Sequence, residues 1–281
     1  MLRFIVFVLC CTLPWSAMAA TEIEISAPGE QSIPLALTTF LQSEGEQSAL
    51  VAGVLNEVLV ADLDLSGLFR FVDPNAFLDD AERIGLYSTQ VNFPQWRLLG
   101  TETLIKGTYS LQGEKLIVEA RLFDVVNRRL LTGRRYVGEP KDARRMAHAF
   151  ADLVLKELTG EEGPFSARIA YISDKSGDKE LWLMDVDGKR PLRLTNHRSI
   201  VLNPDFSPRG KELLFTSYRA NNPDLYRKEI YSGKEAKISY KQGLNVAGRM
   251  APNEREIALT LSKDGNPEIY LIGTSGRVRK R

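Results

Sequence analysis

Two histidines, two Asp-rich turns and two cysteines are the side chains of this 281-residue sequence with the spacing or type to do chemistry. His148 stands four residues after Arg144, and His197 follows a Leu-Thr-Asn run. A metal or acid–base centre on either wants a second histidine or a thiol nearby, and neither has one, so both are expected to be structural or solvated. The stretches DKSGDKE (Asp174 to Glu180) and DVDG (Asp185 to Gly188) invite a calcium reading. An EF-hand loop requires Gly at its sixth position and Glu at its twelfth, and neither stretch provides both. Asp and Gly ahead of a chain reversal explain them as turns. No G-x-S-x-G, G-x-G-x-x-G or Walker A sequence is present, and no catalytic residue, cofactor or metal is expected.

Cys10 and Cys11 lie in an N-terminal segment with Arg3 ahead of an apolar run from Phe4 to about Leu13, followed by Ala17 and Ala19 in A-x-A spacing. This is the pattern of a secretory signal peptide, residues 1–19, and the apolar run is too short to span a bilayer. Once it is removed, no thiol remains, and an exported chain of this kind relies on core burial and ladder hydrogen bonds. Lys plus Arg number 37 against 36 Asp plus Glu, a net charge of +1, which excludes a bulk electrostatic drive toward nucleic acid or anionic lipid. The basic end, Arg277, Arg279, Lys280 and Arg281, lacks aromatic neighbours and reads as an exposed strand.

The elements that must position any site fall into two grammars. Residues 20–162 alternate strand and helix signals, an α+β pattern of a mixed sheet with helices. TEIEIS alternates polar and apolar, IPLALTTFL is a strand-length apolar run, and Ser48 caps a helix whose buried face is Leu50, Val51, Val54, Leu55, Val58 and Leu59, stopped at Ser66-Gly67. LFRFV reads as a strand, and Trp96, Leu98 and Leu99 as part of a short helix. TLIKGTYSL, LIVEARLFDV and LLTGRRYVG follow as an antiparallel meander. A helix starting near Pro140, with the stripe Ala143, Met146, Ala147, Phe150, Ala151, Val154, Leu155 and Leu158, ends at Gly160.

Residues 163–281 repeat. Ile169, Leu213 and Ile257 open apolar stretches 44 residues apart, and Leu181-Trp182, Leu225-Tyr226 and Ile269-Tyr270 keep the same interval. Gly177, Asn221 and Gly265, and Pro208 and Pro252, keep it too. A period of this length built from strands and Gly, Asn and Pro turns is the signature of β-propeller blades, each hiding its neighbour's face. From Arg168 to Arg281 the chain holds 114 residues, about 2.6 such units, and it stops in mid-strand at GRVRKR, as a truncated propeller would.

VLVADLDLSGLF (Val58 to Phe69), WRLLGTETLIKG (Trp96 to Gly107), VEARLFDV (Val118 to Val125), RRMAHAFADLVLKELTGEEGPFSARIAYIS (Arg144 to Ser173) and SYRANNPDLY, with the signal peptide and the period, resemble the TolB family of the Tol-Pal envelope system. The family's WSPDG turn is degraded here to FSPRG and MAPNE. The resemblance implies a six-bladed propeller and a periplasmic scaffold that binds the lipoprotein Pal and the protein TolA, supporting outer-membrane integrity and constriction during division. It places TolA contacts at Thr21, Glu22, Ile23, Glu24 and Ile25, released or retained according to Pal binding. Pal contacts fall in the loops ahead of each S-P turn, at Ile200 and Val201 and at Leu244, Asn245 and Ala247. The alternative is the gating propeller of a prolyl-oligopeptidase-like serine peptidase whose hydrolase domain is missing; the amino-terminal stretches speak against it.

Overall fold

The computed structural model describes residues 32–281; the signal peptide and Thr21–Ile25 lie outside the described residues. A mixed six-stranded sheet opens the fold. Ile33–Leu37 (β1) pairs in parallel with Phe69–Phe71 (β3) and with Thr103–Gln112 (β4), and Leu41–Gly45 (β2) continues along the same edge of β4. The run expected over IPLALTTFL is thus two strands broken at Thr38 to Phe40. Asn56, on the helix Ala49–Leu65 (α1), pins the break: its Nδ2 donates to Thr38 O at 3.1 Å, and its Oδ1 accepts from Phe40 N at 3.2 Å. The Phe40 ring then lies on Gly107, where a Cβ would stand 2.1 Å from the ring. The meander follows as expected, with β4 antiparallel to Lys115–Asp124 (β5) and β5 to Arg129–Gly138 (β6).

Helix α1 is capped by Ser48, whose side chain accepts from Val51 N at 3.3 Å, and Val51, Leu55, Val58, Leu59 and Leu63 are buried. Leu50, expected on that face, is 77% exposed, because it sits one residue, a rotation of about 100°, away from Val51. A single 3-10 turn at Pro140–Asp142 leads into Ala143–Thr159 (α3), which Gly160 closes in the left-handed conformation. The expected α3 stripe is buried, with Leu158 half-buried, and α1 and α3 pack together on one face of the sheet.

The other face is covered by residues 72–99, three short 3-10 turns and the helix Phe93–Leu98 (α2). Trp96 is buried there, whereas Leu98 is 82% exposed. A buried ion pair anchors this cover: Lys106 Nζ lies 2.9 Å from Asp80 Oδ2, which also accepts from Trp96 Nε1 at 2.7 Å. Burial pulls the Lys106 ammonium below its ordinary range against the opposing pull of Asp80.

Beyond α3 stand three antiparallel sheets, arranged as blades of an incomplete propeller. The first holds Arg168–Ser173 (β7), Glu180–Asp185 (β8) and Leu192–Arg193 (β9). The second holds Val201–Phe206 (β10), Glu212–Ser217 (β11), Asp224–Glu229 (β12) and Glu235–Ser239 (β13); the third holds Asn245–Met250 (β14), Glu256–Leu261 (β15), Glu268–Gly273 (β16) and Val278–Lys280 (β17). Strands β7, β11 and β15 begin at residues 168, 212 and 256, so the period is structural. Leu181, Leu225 and Ile269 occupy one register position, opposite Ile172, Thr216 and Thr260. Period-two alternation sends Leu213 and Phe215 toward the first sheet, in a core with Leu181 and Val201, and sends Leu214 toward the third, in a core with Ile257 and Ile272. Leu225 sits on Gly248 of β14, where a Cβ would stand 2.6 Å from the leucine.

Candidate docking surface

Strands β10 and β14 pack beside one another, and the repeat makes their first residues equivalent. Val201 N donates to Lys179 O at 2.9 Å; one period later Asn245 N donates to Pro223 O at 2.9 Å. The carbonyl of Ile200 accepts from Tyr218 N at 3.0 Å, and that of Leu244 from Ser262 N at 3.3 Å. The second and third sheets are therefore each fastened by their first strand to the loop ahead of β8 and of β12, respectively, in the sheet before. The segments entering β10 and β14 end up side by side at one end of the stack.

The residues expected to meet a partner divide by exposure. Ile200 is 47% exposed and Leu244 is half-buried, whereas Val201 and Asn245 are fully buried. Asn245 spends its side chain on its own loop: Oδ1 accepts from Ser239 Oγ at 2.7 Å and from Lys241 N at 2.8 Å, and Nδ2 donates to Lys241 O and Gly243 O. Val201 and Asn245 thus shape the loops, and Ile200 and Leu244 are the members of these pairs that reach solvent. Ala247 is exposed and holds a left-handed φ of +55°, at a bulge between Val246 and Arg249. Its counterpart Asn203, at +52°, sits in the matching bulge of β10.

Behind Ile200, His197 anchors the loop. Its Nδ1 lies 2.7 Å from Ser217 Oγ and its Nε2 3.1 Å from Glu235 Oε1. The order serine, histidine, glutamate imitates an acyl-transfer constellation, but Ser217 is fully buried and Ser217 Oγ also accepts from Arg219 N at 3.3 Å, leaving no approach for a substrate. The cluster is a packing hub instead: the His197 ring stands 5.7 Å from Phe215 and 5.6 Å from Tyr226, and the Arg219 guanidinium lies 4.3 Å over the Tyr226 ring. Burial alone would raise the Glu235 carboxyl; the hydrogen bond and charge of His197, with Lys228 and Arg219, outweigh it and hold the group below its ordinary range.

Residues 21–131 match the TolB amino-terminal domain and residues 155–281 the TolB beta propeller domain. The chain belongs to the TolB family. It is similar to the Tol-Pal system protein TolB of Syntrophotalea carbinolica, 57% identical over 214 residues that make up 76% of this chain and 50% of that protein. It is 36% identical to the Tol-Pal system protein TolB of Desulfosudis oleivorans over 99% of this chain and 64% of that one. The crystal structure of TolB from Acinetobacter baumannii shares the fold, with a TM-score of 0.74 at 24% identity over 89% of this chain and 60% of that chain. This chain therefore spans about half to two-thirds of the length of these TolB proteins. No helix among the described residues is long and apolar enough to cross a membrane.

Between the two TolB matches lies most of α3, which meets the first blade at a charged seam. His148 Nδ1 is 2.7 Å from Asp62 Oδ2 on α1, and Arg144 pairs with Asp187. Arg190 Nε is 2.7 Å from Asp185 Oδ2 and its Nη2 3.0 Å from Oδ1. Burial raises the Asp62 carboxyl, only partly opposed by His148. Burial acts the same way on Asp185, but the hydrogen bond and charge of Arg190, with His148 and Arg144, win and lower it. The sequence does carry a signal for this seam: Asp62 falls four residues after Val58, on the buried stripe of α1, where an unpaired carboxylate is costly.

Proposed function

We propose that the chain is a non-catalytic component of the Tol-Pal system, acting in the periplasm as a protein–protein scaffold for outer-membrane integrity and envelope constriction. Its blade ends dock Pal through Ile200, Leu244 and Ala247, and residues Thr21 to Ile25 engage TolA. What supports this reading is the repeat of one strand entry in adjacent sheets, which brings Ile200 and Leu244 to equivalent positions at the blade ends. The names of the relatives as Tol-Pal system proteins support the assignment of the partner system. The polar–apolar alternation of TEIEIS suits pairing with a partner's sheet edge by strand addition.

The test is a titration of soluble Pal and of soluble TolA against the full chain. Leu244→Glu, which sets a charge where an apolar contact is required, is expected to weaken Pal by at least about tenfold with TolA binding retained. Deleting Thr21 to Ile25 is expected to abolish TolA binding alone. Unchanged Pal affinity in Leu244→Glu removes the blade ends from the site.

A further inference from the structure

We propose that the seam between α3 and the first blade is a divalent-cation site of zinc type, with His148, Asp185 and Asp187 as protein ligands. Their ligand atoms lie within 4.8 Å of one another. The imidazole is set up as a ligand is: Nδ1 faces the Asp62 carboxylate at 2.7 Å, the outer-shell contact that fixes a metal-binding histidine's ring and tautomer. That leaves Nε2 buried, with no hydrogen-bond partner, 3.7 Å from Asp185 Oδ2. With Nδ1–H directed at Asp62, Nε2 faces Asp185 either as an imidazolium N–H or as a lone pair, and a metal ion would take the place of that proton.

The charges agree. Asp62, Asp185 and Asp187 contribute three negative charges at the seam, and Arg144 and Arg190 two positive ones, so the balance is completed by a proton on His148 or by an ion that replaces it. Arg190 Nε and Arg144 Nε lie 2.7 and 3.6 Å from the same Asp185 Oδ2 that faces His148, so an ion would displace them to the outer shell of the carboxylate. Arg190, half exposed, is free to swing from Asp185 Oδ2 as an ion arrives. One imidazole nitrogen and two carboxylates match the borderline preference of Zn²⁺, whose tetrahedral ligands stand about 3.4 Å apart, so closure by up to about 1.4 Å completes the set. A cavity of about 550 Å³ reaches His148, Asp185 and Arg190 and gives the ion a path and a water for the fourth position.

His148 rides on the amino-terminal domain, and Asp185 and Asp187 belong to the end of β8 and the turn after it, so the ion would staple the two domains. The DVDG stretch is a turn, as its sequence says, with Gly188 N donating to Asp185 O at 3.0 Å. The fold additionally turns its two aspartates toward a histidine 37 and 39 residues away, a spacing no short motif carries.

The experiment uses the full chain with Cys10→Ser and Cys11→Ser, which takes the thiols out of competition, stripped with a chelator and titrated with Zn²⁺ against a chromophoric chelator. One equivalent is expected, and His148→Gln and Asp187→Asn should each weaken it at least about tenfold, Asp62→Asn by about 10- to 100-fold. His197→Gln should leave the equivalent in place. Co²⁺ loading of the chain with these ligands intact should give the visible bands of a tetrahedral N,O site, a readout that needs no ligand variant to fold. No uptake at about 0.1 mM Zn²⁺, or uptake that survives His148→Gln, overturns the proposal.

Discussion

Glu235 stands at the meeting point of His197, Arg219 and Lys228, with Arg219 Nη1 2.8 Å and Lys228 Nζ 3.4 Å from its oxygens. Its carboxyl is held below its ordinary value of 4.5 in the folded chain, so it titrates lower there than in the unfolded chain. The folded state then binds fewer protons than the unfolded state, and stability rises with pH across that window. The contribution is fully present above about pH 4.5 and is lost as pH falls through the depressed folded value. Urea midpoints of Glu235→Gln are therefore expected to fall less steeply than those of the unaltered chain as the buffer is taken below that point. Parallel curves would place the charge of Glu235 outside the energetics of the hub. Lys228 and Glu235 are seven residues apart and sit on paired strands, but His197 reaches Glu235 across 38 residues, which is why the hub was not legible from spacing.

At the scale of the element, the bend between β1 and β2 rests on the contact of Phe40 with Gly107. Adding one methyl at Gly107 forces the ring or the strand to move, and overpacking of this kind costs about 1–3 kcal/mol. Gly107→Ala is expected to lower the urea midpoint, and Gly107→Ala with Phe40→Leu to recover part of the loss; equal midpoints for Gly107→Ala and the unaltered chain would deny the contact. The bend itself was hidden in the sequence, because Thr38 and Thr39 fit a strand as well as Ile33 to Leu37 do, and the side chain that breaks the run belongs to α1. The helices and the meander were legible, since caps, periods of 3.6 and 2, and Gly stops are local properties. Leu50 was misplaced for the complementary reason: apolar character does not tell which side of a boundary position the core lies on. Among the residues that the family resemblance proposed for docking, the equivalence of Ile200 and Leu244 is visible in the 44-residue period, whereas the burial of Val201 and Asn245 depends on the neighbouring sheet.

Over the whole molecule, one position in the repeat experiences different surroundings. Leu181 and Leu225 are fully buried, and Ile269, in the same register, is 72% exposed, for no sheet among the described residues lies against the third as the third lies against the second. Leu225→Ala is expected to cost about 2–5 kcal/mol in urea unfolding, and Ile269→Ala less than about 0.5 kcal/mol. Similar costs at the two positions would contradict the stacking order. The fastening of blade to blade has a different consequence. Lys179 and Pro223 are chemically unlike, yet each presents the same backbone carbonyl to the strand that follows. Duplicated modules joined in this way are free to drift in composition while an insertion or deletion between the joints is penalised at once, so ancestry survives in the ruler after it has faded from the letters.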